Sequence, residues 1–180
     1  MNERRADQIE RASQSGGGGG SDSVPMRQVR RRYASGVTVV TTVTEEGFHG
    51  ITVSAFCFGS LEPPLVLGCL GSVGQAAEYV TSSGIFAVSF LDWRQQFLAD
   101  RFAGRAPAVN RRFEGVPYEV KVTGAPVLRN SVGWVDCQLV ESRPLGDHTL
   151  VVGRVVAGEP GAAGDPLLFC EGRFGRLRFD

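Results

Sequence analysis

Only two of the 180 residues are histidine, His49 and His148, and four are cysteine. Cys57, Cys69, Cys137 and Cys170 stand far apart among apolar residues, without the paired spacing of a zinc site or a redox Cys-x-x-Cys, so buried free thiols are expected. There is no Gly-x-Ser-x-Gly elbow, no His-Glu-x-x-His and no carboxylate cluster with ligand spacing, which leaves hydrolytic and metal-dependent chemistry without residues to perform it. Apolar runs all fall short of the roughly 18–20 residues that span a bilayer, and charges occupy the N-terminus where a signal peptide needs a hydrophobic segment. The expected compartment is the cytoplasm. Net charge is missing too: 19 basic and 19 acidic residues cancel, so no overall field draws the chain onto nucleic acid or an anionic membrane.

What is present is length for one domain and a strong β signal. Residues 1 to about 25 mix charges, serines and five consecutive glycines, Gly16 to Gly20, and bury too little apolar surface to offset the entropy of ordering. They are expected to form a tail ahead of a domain over 26–180, which at about 150 residues buries roughly two-thirds of its unfolded surface. Pro25 to Ser35 reads as a short helix with Met26, Val29 and Tyr33 on one stripe, ended by Gly36. Arg27, Arg30, Arg31 and Arg32 on that helix allow a nucleic-acid contact, but a solvated helix face is the better explanation and no nucleic-acid partner is expected.

From Val37 to Thr44 valines and threonines alternate in a β-branched run suited to a strand covered on both faces, and Glu45, Glu46 and Gly47 turn it into a partner strand over Phe48–Ser54. Leu65–Leu70 is a fully apolar strand after Pro63 and Pro64. A helix opened by Gly71, Ser72, Val73 and Gly74 runs on from Ala76 to Val80, Gly84 breaks the chain, and Ile85–Leu91 is a further strand. Asp92 is the expected N-cap of a helix over Trp93–Phe102 with Phe97, Leu98, Arg101 and Phe102 facing inward, stopped at Gly104–Pro107. Strands follow at Trp134–Ser142, His148–Gly158, Leu167–Phe169 and Arg173–Leu177, the first two joined by a tight turn at Pro144–Asp147. Long antiparallel strands with two or three helices indicate a mainly β, barrel-like fold rather than a doubly wound sheet.

With so few acids, bases and nucleophiles, a cofactor must carry any demanding chemistry, and hydride transfer between cofactors suits such a chain. The segments Ala34–Thr42, His49–Phe56, Ser60–Leu67, Arg101–Gly104, Phe113–Pro117, Gly124–Leu128 and Gly146–Thr149 resemble, in order and spacing, the short-chain flavin reductases. The resemblance covers roughly residues 27–178. It implies an FMN-binding split β-barrel, antiparallel and dimeric, that binds FMN or FAD near the subunit interface, takes electrons from NADH or NADPH, and supplies reduced flavin to a separate monooxygenase.

By the same resemblance Thr52, Val53, Ser54 and Ala55 would meet the isoalloxazine edge and the phosphate, where polar groups stabilise the reduced ring's developing charge. An ordinary strand end is the plain alternative. Val37 and Thr38 would line the ring from the neighbouring strand, or serve only in sheet packing. His148 resembles the histidine beside the nicotinamide, the catalytic candidate; as a lone turn residue it could also be neutral. Asp147 reads as a turn cap, His49 as structural or solvent-facing, and Arg101 and Phe102 as lying beneath the flavin tail or in the core. Departures stand out: the Ser and Thr expected for the phosphate are Gly74 and Ala76, Ala55 replaces a serine and Ser89 an asparagine. Ser72, Gln75 and the amides of a glycine-rich helix start are the substitutes. The lost donors support a second reading, a split-barrel homologue that has given up reductase work for ligand binding or cofactor-independent biosynthetic chemistry.

Overall fold

The need to cover β-branched strands on both faces organises the molecule. The structure is a computed structural model in which residues 25–105, 113–162 and 164–177 are described; the expected tail at 1–24 and the helix stop at Pro107 lie outside them. Contacts divide the chain into two units, Met1–Arg30 and Arg31–Asp180. Helix α1 (Met26–Arg32) buries none of its residues, and Met26, Val29 and Tyr33 are all exposed. The stripe expected from their spacing is therefore not used for packing. The helix also ends earlier than expected, because Ser35 and Gly36 form a short strand, β1, that pairs with Phe169 and Leu168.

In the second unit, β2 (Thr38–Thr44) and β3 (Gly47–Val53) form the expected hairpin. The apolar strand is β5 (Pro64–Gly71), and a strand that hydropathy alone does not reveal, β4 (Phe56–Leu61), pairs with it. β4 is an edge strand, with Cys57, Phe58, Gly59 and Leu61 exposed, so it lacks the alternation that marks a half-buried strand. Helix α2 covers Ala76–Ser83, and β6 covers Ile85–Phe90. A 3₁₀ turn, Trp93–Gln95, precedes α3 (Gln96–Phe102), and this tighter turn rotates the helix so that Leu98, Ala99 and Phe102 face inward. Phe97, expected inside, is 62% exposed. Short strands β7 (Tyr118–Val120) and β8 (Pro126–Leu128) pair with each other. The long strands β9 (Gly133–Leu145) and β10 (His148–Pro160) are joined by Gly146–Asp147, with Gly146 at φ 60°, and β11 (Leu167–Cys170) pairs with β12 (Arg173–Arg176).

All pairings are antiparallel, and the main sheet runs β3-β2-β6-β9-β10-β5-β4. Two bulges in the β9–β10 ladder bend it, and the sheet curls until β3 comes within 8 Å of β5, Cα to Cα. Inside the curl lie Val40, Val53, Val66, Leu70, Phe86, Val88 and Val151, closed off by Ala77 and Val80 of α2. The Phe86 ring occupies the space a Cβ would take at Gly153, so glycine on β10 lets the largest interior ring fit. The opposite face of β2 carries Val37 and Val39 into a second core with Leu91, Leu98, Ala99, Phe102 and Leu167. Two cores back to back explain why Thr38, Val39, Val40, Thr41 and Thr42 are all buried. Cys137 is buried in the first core, where desolvation, with Asp136 adding to it, pushes its thiol up to about 12. No disulfide is formed by the four cysteines.

Asp92 closes the second core as the expected cap. Its Oδ1 accepts from the Arg94 amide at 2.9 Å and from Arg94 Nε at 2.7 Å, and the Gln95 side chain accepts from the Asp92 amide. The Arg94 guanidinium holds the buried carboxyl below the ordinary value of 3.8, against the opposing effect of burial. A depressed folded-state pKa means that this stabilisation is complete above the unfolded-state value, near 3.8, and is lost as the pH falls below it through the lower folded-state value. Asp92→Asn keeps the cap and removes the charge, and should therefore cost about 1–2 kcal/mol at pH 7 and flatten the acid limb of the stability profile; urea melts from pH 7 down to about 2, well below the ordinary Asp value of about 3.9, would show parallel wild-type and variant profiles if the charge contributed nothing.

Candidate flavin-binding site

The candidate residues fall into two groups according to whether their polar atoms are already in use. Val37 belongs to the second core, its amide bonds Leu167 O at 3.0 Å, and its carbonyl accepts from Leu91 N at 3.1 Å. Thr38 faces the first core and donates to Val53 O at 2.8 Å. Adjacent strand residues point to opposite faces, so the side chains of Val37 and Thr38 do not line one surface. Val53 is buried in the first core, and Thr52, pointing the other way, donates to Ala99 O of α3 at 2.7 Å. Ser89 is fully buried on β6, where its Oγ accepts from the Leu128 amide at 2.9 Å and so ties β8 to the sheet.

The second group lies where the curl leaves the strand ends open. Ser54 is half-buried and Ala55 exposed at the end of β3, and Ala55 O accepts from Cys69 N of β5 at 2.9 Å. β5 runs on through Gly71 into the loop Ser72–Gln75, where Ser72 and Gln75 are exposed. Gly74 has φ 118°, a conformation that side chains adopt only under strain, so this backbone and a serine at 74 exclude each other. Ala76, the other position where a hydroxyl is missing, is the buried first residue of α2. The helix starts at Gln75 without a side-chain cap, which leaves its first amides to be met by something else.

Across the ladder, Gly71 lies opposite His148, and Ser72 donates its amide to Asp147 O at 3.0 Å. Asp147 thus does more than form the turn. Its carboxylate Oδ1 is 2.7 Å from His148 Nδ1, with the His148 side chain 31% exposed. The structure therefore gathers Ser54, Ala55, Ser72, Gln75 and His148 around the ends of β3, β5 and β10, whereas Val37, Thr38, Thr52, Val53 and Ser89 are divided between the two faces of the sheet and packed into its scaffold. Tyr79 was not apparent as part of this region from composition; it stands four residues after Gln75, a spacing that puts the two on one helix face, and its hydroxyl donates to Gln75 Oε1 at 2.9 Å. Arg101 and Phe102 sit on α3, Phe102 fully buried in the second core and Arg101 donating through Nη2 to Glu114 O. Among the described residues no cluster of three His, Cys, Asp or Glu could hold a metal ion.

Such an arrangement suits a phosphorylated, largely planar ligand. Main-chain amides at an uncapped helix start meet the anion, and the strand ends with a histidine opposite meet the rest. FMN or FAD fits these residues: the phosphate would be held by the amides of Val73–Gln75 with the Ser72 and Gln75 side chains, in place of hydroxyls at 74 and 76, while the Ser72 amide stays on Asp147 O.

Comparison with known proteins leads to the same place. The chain belongs to the flavin reductase family: the model described as "Flavin reductase like domain" matches residues 30–178. FMN reductase (NADH) SmoA of Agrobacterium fabrum is 34% identical over 159 residues, covering 88% of each chain. The reductase subunit HsaB of a flavin-dependent monooxygenase from Mycobacterium tuberculosis is 32% identical over 155 residues, 85% of this chain and 81% of HsaB. Among solved structures, the NADH:FAD oxidoreductase SgcE6 of Streptomyces globisporus, in complex with NAD and FAD fragments, superposes with a TM-score of 0.79 at 33% identity, over 88% of this chain and 94% of SgcE6. The antiparallel, mainly β fold, with three α-helices among the described residues, is that of these reductases.

Ser89→Ala tests the bond between β8 and the sheet. It strands the buried Leu128 amide without its acceptor and should destabilise the protein by about 1–3 kcal/mol in urea denaturation; a change within about 0.5 kcal/mol, the range of surface substitutions, would mean that β8 is not held by this bond.

Proposed function

We propose that this chain is an NAD(P)H:flavin oxidoreductase that reduces FMN or FAD with NADH or NADPH and passes the reduced flavin to a separate flavin-dependent monooxygenase. The observation that carries the reading is the joining of the Ser72–Gln75 amide loop to the Asp147–His148 turn in a chain whose family model spans residues 30–178. SmoA is named an NADH-dependent FMN reductase and HsaB a monooxygenase reductase subunit, which supports both the electron donor and the acceptor. The nicotinamide and the flavin supply the redox chemistry, a hydride passing from the first to the second. What this chain supplies is placement. The amides of Val73–Gln75 bind the phosphate, Ser54 and Ala55 border the ring, and Val37, Thr38, Thr52, Val53 and Ser89 hold the strands that carry them from within the scaffold. Asp147 takes up His148 Nδ1, so Nε2 is the atom that meets the nicotinamide carboxamide or holds a proton near the flavin.

The working form is proposed to be a homodimer in the cytoplasm. β5 and β10 alternate between interior Val66, Gly68, Leu70 and Val151 and outward Leu67, Cys69, Leu150 and Val152, which are paired across the ladder and belong to none of the three buried clusters. His148 and Gly71 share that outward face, so a second copy seated there borders the site. No helix among the described residues is long and apolar enough to cross a membrane. The alternative of a barrel without reductase work draws on the missing hydroxyls at Gly74 and Ala76, and the uncapped amides beside them answer that loss.

NAD(P)H oxidation should depend on added FMN or FAD, and a rate no higher than the uncatalysed background rejects the reductase reading. His148→Ala should lower kcat/KM for the nicotinamide by at least about tenfold with the fold intact. Light scattering should give twice the 19.3 kDa chain mass, falling to one chain in Leu67→Arg.

A further inference from the structure

Gln75 stands at the cap position of α2, where an acceptor side chain ordinarily bonds the helix's own first amides. Here it does not: its Oε1 takes the hydroxyl of Tyr79, one turn further along, at 2.9 Å. The Tyr79 ring is held in turn by His49 of β3, whose imidazole lies 4.9 Å away between ring centroids at 56° between planes. The strand thus steadies the phenol, and the phenol steadies the amide. With Oε1 engaged, Gln75 is turned so that its donor end, Nε2, is what remains for a ligand, and its acceptor is kept from the amides of the helix start.

We propose that Tyr79 is a positioning residue for the flavin phosphate, orienting Gln75 so that it turns its Nε2 donor, and not its Oε1 acceptor, toward a phosphate monoester beside the Val73–Gln75 amides of its loop. This rests on the reading of that loop as the phosphate cradle. It accounts for a family member that keeps neither hydroxyl at 74 nor at 76: backbone conformation denies a side chain at Gly74, Ala76 is buried, and a glutamine oriented by Tyr79 stands between them.

The discriminating quantity is the preference for FMN over riboflavin, which differ only by the phosphate. Dissociation constants for both are measured by fluorescence titration of the full chain, with thermal melts confirming the fold. Wild type should bind FMN at least about tenfold more tightly, as charge-assisted bonds to one anion provide. Tyr79→Phe should cut that preference by about threefold to tenfold, the range of a single hydrogen bond. Gln75→Ala should cut it as much, and Tyr79→Phe added to Gln75→Ala should cut it no further. A wild-type preference near one overturns the phosphate cradle and this inference with it. A strong wild-type preference that survives Tyr79→Phe, or falls again when Tyr79→Phe is added to Gln75→Ala, overturns the role of Tyr79 alone.

Discussion

Burial of β2 on both faces is the constraint from which the rest of the structure follows. Five successive residues, Thr38 to Thr42, are removed from water, three of them threonines. A buried hydroxyl costs free energy unless it finds a partner, so each is bonded to a carbonyl: Thr38 to Val53, Thr41 to Pro126 and Thr42 to Ile85. These bonds reach the neighbouring strand, the β8 segment and the start of β6. One strand thereby fixes the positions of three others, and the two cores form on either side of it.

The same economy shapes the site. Thr38, Thr52 and Ser89 resemble flavin ligands by sequence, yet their side chains hold the scaffold together. What faces outward at the strand ends is mostly main chain, with few polar side chains among it. A ligand held in this way is recognised through backbone geometry, which tolerates loss of particular hydroxyls as long as the loop keeps its shape. Gly74 shows the trade directly, since the φ of 118° that opens the loop is the reason no serine stands there.

The Asp147–His148 turn shows how separate segments become one site. Its carbonyl bonds the Ser72 amide and its carboxylate bonds the His148 ring, so His148 and the Ser72–Gln75 loop share one anchor, although Ser72 and Asp147 stand 75 positions apart in the chain. Relatives at about one-third identity keep the fold to a TM-score near 0.8, as expected when the frame is set by ladders and core burial rather than by individual surface side chains.

Periodicity and punctuation in the sequence determined the β2–β3 hairpin, the apolar β5, the long β9–β10 pair, the Asp92 cap and the family, because each rests on local pattern: β-branched runs, glycine turns, a capping aspartate, motifs in order. Tertiary structure alone decided the edge strand β4, the outward turn of Phe97 and the exposed stripe of α1, since burial there depends on what lies opposite and not on spacing. It also decided which candidate side chains are spent on the scaffold. A threonine reads the same in sequence whatever its hydroxyl meets, and only the curl of the sheet brings the Ala99 carbonyl to Thr52 and that of Val53 to Thr38.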